Sequence, residues 1–225
     1  MKKLIPSRRP AKSPGRPRAD ESEARIQALL DVAADVFIER GYEGASLDEI
    51  ARRANASKQT MYVRFPSKAN LFEAVVRSQT DEAYLRFSGI LNLELPIEDV
   101  LEEFGRESIK RVSAERTQRL IRTIIAAVAS FPELGKNLWN QVEKNCILPL
   151  ADYLGEQSKR GVLSKLDPPL AANMFQGLTL GPYLFPLQLG VRLRAPLSDR
   201  RAYIEEAVSM FLAVHGAGLK NSTRR

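Results

Sequence analysis

Residues 46–68, SLDEIARRANASKQTMYVRFPSK, hold this chain to two short helices joined by a tight turn. Ser46 and Glu49 have the spacing of a Ser-x-x-Glu capping box, which satisfies free N–H groups at a helix start. Leu47, Ile50, Ala51 and Ala54 then fall at helical spacing and make one apolar face. Ala54-Asn55-Ala56 breaks that helix, because Asn tolerates the left-handed backbone that a C-terminal cap requires. Ser57 caps a second helix, and Pro66-Ser67 ends it and caps the next. Two helices of this length around so tight a turn form a helix-turn-helix pattern.

At 100° per residue, Met61 and Phe65 of the second short helix fall together and face a core. Gln59, Thr60, Tyr62 and Val63 fan over the opposite side, with Lys58 at its edge. The major groove of B-DNA is wide enough to admit such a helix. Gln59 suits a bidentate pair with adenine, and the exposed apolar Val63 suits a thymine methyl. Thr60 and Tyr62 carry hydroxyls suited to phosphate oxygens. Lys68, in the first turn of the following helix, sits where free N–H groups already attract a phosphate. Each of these alone would pass for a solvated surface side chain; their joint placement on one face points to DNA.

The distribution of charge supports this. The net charge is +7, from 34 basic and 27 acidic side chains. Residues 1–19 hold seven of the bases (Lys2, Lys3, Arg8, Arg9, Lys12, Arg16 and Arg18) and no acid, so residues 20–225 carry 27 of each sign. The excess is an arm in front of a neutral body. Its prolines and Gly15 keep it from folding alone, and it reads either as a solubilising tail or as an arm that neutralises phosphates or enters a minor groove. With 44% hydrophobic and 27% charged residues, the chain has the composition of a soluble globular protein. No apolar run nears the roughly 18 residues that span a bilayer, and the basic N-terminus is too Pro-rich for a secretory signal. A single cysteine, Cys146, excludes an internal disulfide and a Cys-rich zinc site. The expected setting is the cytoplasm, with no membrane contact.

Helical periodicity continues along the chain. A first helix is predicted over about 21–40, ended by Gly41, and a fourth over about 67–87. The pattern lapses between Gly89 and Pro96. Further helices are predicted over 96–112, 115–129 and 131–160, the last kinked or interrupted at Pro149. Another spans about 169–180, kinked or fragmented at its end by Pro182 and Pro186, and the last runs over 198–215. The expected fold is all α, with about nine helices. It divides into a basic arm (1–22), a three-helix DNA-binding domain (23–83, motif 46–65), a larger helical domain (84–217) and a tail (218–225).

Residues 23–83 resemble the DNA-binding domain of the tetracycline-repressor (TetR) family of bacterial transcription regulators. The resemblance rests on Phe37-x-x-Arg40-Gly41-Tyr42, Ser46-Leu47-x-x-Ile50-Ala51, Ser57-Lys58-x-Thr60-Met61-Tyr62 and Phe65-x-x-Lys68-x-x-Leu71-Phe72. The Gly15-Arg16-Pro17-Arg18 arm is also common in that family. The resemblance implies phosphate contacts from Thr60, Tyr62 and Lys68 and groove contacts around Lys58, Gln59 and Val63. Ser46 and Ser57 at the caps and Arg16 and Arg18 of the arm complete the expected DNA-binding set. Asn55 replaces the usual turn Gly. Arg64 stands where the family more often has His or Tyr, which would add a phosphate contact.

Residues 119–190 are similar, more loosely, to the AefR-like C-terminal domain of one branch of the family. The family resemblance implies a ligand-binding and dimerising domain whose last two helices, here about 169–190 and 198–215, form a four-helix bundle with a second copy. Phe175, Leu178, Tyr203, Val208 and Phe211 are the expected interface residues. Phe104, Arg122, Trp139, Asn140, Phe175 and Tyr183 are candidates to line a small-molecule pocket, although aromatic residues at helical spacing more often fill a core. Arg122 interrupts an otherwise apolar helix and suits a polar ligand group, an internal ion pair or solvent.

Nothing in the chain assembles a catalytic site. His215 is the only histidine and Cys146 the only cysteine, and no Gly-rich phosphate loop or metal-ligand spacing occurs. No metal and no cofactor is expected. The sequence therefore reads as a repressor that binds a palindromic double-stranded operator as a homodimer and leaves it when a small-molecule inducer binds. The alternative is a DNA-binding regulator or activator without such a ligand, controlled by abundance or a protein partner.

Overall fold

A computed structural model describes residues 19–191 and 197–217 of the chain. The described residues form α1 (Ala19–Gly44), α2 (Leu47–Arg53), α3 (Lys58–Arg64), α4 (Lys68–Ile90), α5 (Ile97–Ser113) and α6 (Glu115–Ala127). These are followed by α7 (Pro132–Val142), α8 (Leu148–Lys159), α9 (Pro168–Gln188) and α10 (Leu197–His215). A π-helical turn, Glu143–Ile147, joins α7 to α8. Taking Pro132–Lys159 as one rod gives nine helices, so the expected all-α architecture is the one observed.

The local signals act where the sequence places them. Ser46, Ser57 and Ser67 each accept a hydrogen bond at Oγ from the backbone N–H three residues on, at 3.2, 3.0 and 3.2 Å. Only half of the first capping box forms, because the Glu49 carboxylate turns away to Arg53 at 2.8 Å. Asn55 adopts φ 51°, the left-handed conformation the turn requires. Gly41 (φ 72°, ψ 170°) breaks α1 one turn before its end. That break swings Tyr42 into the core, where its ring meets Phe72 edge-on at 5.2 Å and Phe131 at 4.8 Å.

Met61 is fully buried and Phe65 nearly so, together with Phe37, Ile50, Leu71 and Phe72. This core extends past the first four helices, because Leu120, Ile124 and Ala127 of α6 and Leu134 of α7 belong to it. Arg116 of α6 reinforces the contact, donating to the Asp31 carbonyl at 2.8 Å and lying 3.3 Å from the Asp35 carboxylate. A second core, built on Leu101, Phe104, Leu150, Leu154, Phe175 and Phe211, joins α5, α8, α9 and α10.

Two proline sites show how a helix absorbs a missing donor. Pro149 cannot donate to the Asn145 carbonyl, and the π turn shifts the register just before it, with Leu148 N–H bonding to Glu143 O. Pro182 and Pro186 were expected to kink or fragment α9, but the helix runs unbroken through both. The carbonyl that Pro182 leaves unserved is that of Leu178, and the Tyr203 hydroxyl of α10 donates to it. Gly190 (φ 76°) then ends the helix, returning its N–H to the Leu187 carbonyl at 3.0 Å.

Candidate nucleic-acid interface and internal cavity

The buried Met61 and Phe65 fix which side of α3 faces outward. Gln59, Thr60 and Arg64 are exposed, Tyr62 is 49% exposed and Val63 78%. An apolar side chain so open to solvent at the centre of a helix face has no partner within the fold. α2 crosses behind α3 and is itself tied to α1, since Arg53 donates to Glu39 at 2.6 Å and to Glu49 at 2.8 Å. The hydrogen bond from Arg53 also holds the Glu39 carboxyl below its ordinary range.

Four polar groups at this face are held by neighbours. Lys58 Nζ donates to Asp48 Oδ2 at 2.5 Å, and the Tyr62 hydroxyl lies 3.3 Å from Asp48 Oδ1. The Lys58 hydrogen bond keeps Asp48 below the usual carboxylate range and raises Lys58. The Thr60 hydroxyl is 2.7 Å from Ser57 Oγ. Lys68, at the start of α4, donates to the Glu43 carbonyl at 2.9 Å and lies 4.8 Å above the Tyr42 ring. Lys58, Gln59, Thr60, Tyr62, Val63 and Arg64 thus share one helix, with Lys68 and the capping residues Ser46 and Ser57 on adjoining turns. Arg16 and Arg18 lie outside the described residues. Asp48 escaped the sequence reading; its signal was an acid on the exposed side of α2, ten residues before Lys58.

A cavity of about 360 Å³ lies between α4, α5, α6, α7 and α9. Val76, Phe87, Leu120, Ile124, Ile147 and Leu180 make much of its wall. Of the six residues expected at such a pocket only Trp139 lines it. Phe104 and Phe175 are fully buried in the second core, and Tyr183 is buried there against Tyr203. Asn140 is exposed and off the wall. Arg122 donates to the Leu187 carbonyl at 3.0 Å and so serves the C-terminal end of α9. The sequence reading missed Ser108, Cys146 and Gln176, which do line the cavity. Ser108 could have been found as a polar residue on the inner stripe of α5, beside Leu101, Phe104 and Ile109.

The residues expected at a dimer interface also point elsewhere. Phe175, Val208 and Phe211 are buried within the protomer, and Tyr203 is engaged with Leu178, itself half-buried. The outward face of α9 carries Leu170, Met174 and Phe185 instead, with Leu189 at its C-cap, and that of α10 carries Met210 and Val214. α9 is apolar on both sides, so periodicity alone does not say which of its sides faces in.

No helix among the described residues is long and apolar enough to cross a membrane, and no cluster of potential metal ligands occurs among them. Residues 29–75 match the family described as bacterial regulatory proteins of the tetR family, and residues 99–217 match the AefR-like transcriptional repressor C-terminal domain. A solved structure from Mesorhizobium loti MAFF303099, described as a TetR-family transcriptional regulator, is 28% identical with a TM-score of 0.78, covering 87% of this chain and 98% of its own. The flavonoid-responsive regulator FrrA is 26% identical with a TM-score of 0.74, covering 87% of this chain and 99% of its own. The uncharacterised helix-turn-helix regulator YvkB of Bacillus subtilis (strain 168) is 24% identical over 193 residues, or 82% of this chain and 93% of YvkB. With both domains matched in order on the fold built above, the chain belongs to the TetR family of DNA-binding transcriptional regulators.

Proposed function

We propose that the protein is a ligand-responsive repressor that occupies a palindromic operator as a homodimer, with α3 of each protomer in the major groove of one half-site. One helix-turn-helix reads only a half-site, and two-fold symmetry doubles its contacts. In this reading Lys58, Gln59 and Val63 meet the groove, while Ser46, Ser57, Thr60, Tyr62, Arg64 and Lys68 meet the backbone. Support for a second copy comes from α9, whose outward apolar residues are left uncovered in a single protomer.

The observation that carries the inducer is the course of α4. This helix begins at Lys68 beside α3, packs along α1, and then gives Val76, Gln79, Thr80 and Phe87 to the cavity wall. A molecule that displaces those side chains moves the helix that seats the DNA-reading unit, so its binding energy can be set against that of the operator. The flavonoid responsiveness of FrrA and the repressor description of the matched C-terminal domain agree with this.

The test is DNase footprinting with and without cell metabolites. The expected result is a symmetric protected site that one fraction abolishes. A footprint that no fraction disturbs would remove the inducer and leave a regulator controlled by abundance or a protein partner.

A further inference from the structure

Three polar side chains on the cavity wall are satisfied from within the protein. Thr80 donates to the Val76 and Arg77 carbonyls, Asn173 to the Pro169 carbonyl, and Arg111 to the Gln79 carbonyl. Two are not. Ser108 Oγ, on a residue only 3% exposed, and Gln176 Oε1 are buried without a hydrogen-bond partner. They come from different helices, α5 and α9, and line the same cavity. A buried polar atom left unpaired costs free energy, so two of them on one largely apolar wall mark the place where a ligand group would be held.

We propose that the cavity binds an uncharged small molecule with an apolar body and one hydroxyl group, held jointly by Ser108 and Gln176. This rests on the reading of the cavity as an inducer site. A hydroxyl both donates and accepts, so it can donate to Gln176 Oε1 while accepting from Ser108, and it serves the Gln176 amide in either orientation. The rest of the wall asks for an apolar body, and 360 Å³ lies in the range of small-molecule sites. The setting also disfavours negative charge: burial pushes the Cys146 thiol, on the same wall, up to about 11 despite the nearby Arg111. A carboxylate there would lose its hydration in the same way.

The experiment is equilibrium dialysis of the full-length protein against three matched probes: 4-phenylphenol, biphenyl and biphenyl-4-carboxylate. The phenol is expected to bind about tenfold or more tightly than the hydrocarbon, since biphenyl leaves both polar atoms unpaired. Ser108→Ala and Gln176→Ala should each shrink that ratio, with circular dichroism confirming the fold. Equal binding of phenol and hydrocarbon overturns the proposal, as does preference for the carboxylate or binding of none of the three. Operator release is scored separately by fluorescence anisotropy. A phenol that binds as expected but leaves the DNA complex intact would sink the inducer reading and not this assignment.

Discussion

The Lys58 ammonium and the Asp48 carboxylate lie 2.5 Å apart and join the first turn of α3 to the first turn of α2. Because Lys58 holds the Asp48 carboxyl below its ordinary value, the link is complete above about pH 4 and is lost as pH falls through the lowered value. At neutral pH DNA must therefore compete with Asp48 for Lys58 and for the Tyr62 hydroxyl. Asp48→Asn is expected to tighten DNA binding several-fold and to steepen its log–log salt dependence by up to about 0.9, one phosphate contact. Anisotropy titrations across a salt series measure both. An unchanged affinity would mean that Lys58 and Tyr62 do not touch DNA or that Asp48 never competes for them.

Lys68 and Gln59 should separate positioning from reading. Lys68 stands at a helix N-terminus and is steadied by the Tyr42 ring, a placement that offers charge without base information. Lys68→Ala should weaken binding to all sequences alike and reduce the salt slope by about one. Gln59→Ala should instead cost about 1–3 kcal/mol on the operator and relax preference at one base position. Binding-site selection on the two variants distinguishes these outcomes; a changed consensus with Lys68→Ala would contradict the division.

Most of the DNA-reading unit was legible in the sequence because local rules determine it. Caps at Ser46, Ser57 and Ser67, a left-handed Asn55 and a four-residue spacing between Met61 and Phe65 each act over one or two turns. The larger domain was legible only as helices. Which side of α9 faces inward depends on how α5, α8 and α10 meet it, and Pro182 is harmless only because Tyr203, twenty-one residues on, supplies a donor to the Leu178 carbonyl. A cavity is harder still. It exists where apolar side chains such as Leu120 and Leu180 fail to meet, and no periodicity records a failure to meet.

Met61 is the only residue of α3 itself that is buried, so the seating of the reading helix depends on it. Met61→Ala should destabilise the protein by about 2–5 kcal/mol, the usual cost of a cavity in a close-packed core. Urea unfolding followed by circular dichroism gives the value. A loss below about 1 kcal/mol would show that α3 is held chiefly by its exposed polar links to α2.

Cys146 gives a pH-dependent readout of the cavity. With its thiol pushed up to about 11 by burial, it should alkylate slowly at pH 8 in the folded protein and rapidly in urea. The raised value also favours the folded state below the ordinary thiol pKa of about 8.5, and that contribution is lost as pH rises through 11. Cys146→Ser should accordingly make the decline in stability between pH 8.5 and 11 shallower. Fast alkylation of the native protein at pH 8 would contradict the burial.

The outward face of α9 yields the last prediction. Leu170, Met174, Phe185 and Leu189 recur at close to whole helical turns and are between 48% and 66% exposed, forming one apolar stripe on a helix whose opposite side fills the core. A charge placed in a symmetric interface is met by its own copy, so the repulsion falls on the two-fold contact while the protomer, where the position is open, should fold as before. Phe185→Glu is therefore expected to shift sedimentation from dimer to monomer with its helical circular dichroism intact. The same variant should lose most of its operator affinity, because each monomer then holds a single half-site. A dimer that persists in Phe185→Glu and in Met174→Glu alike would place the two-fold contact on another surface.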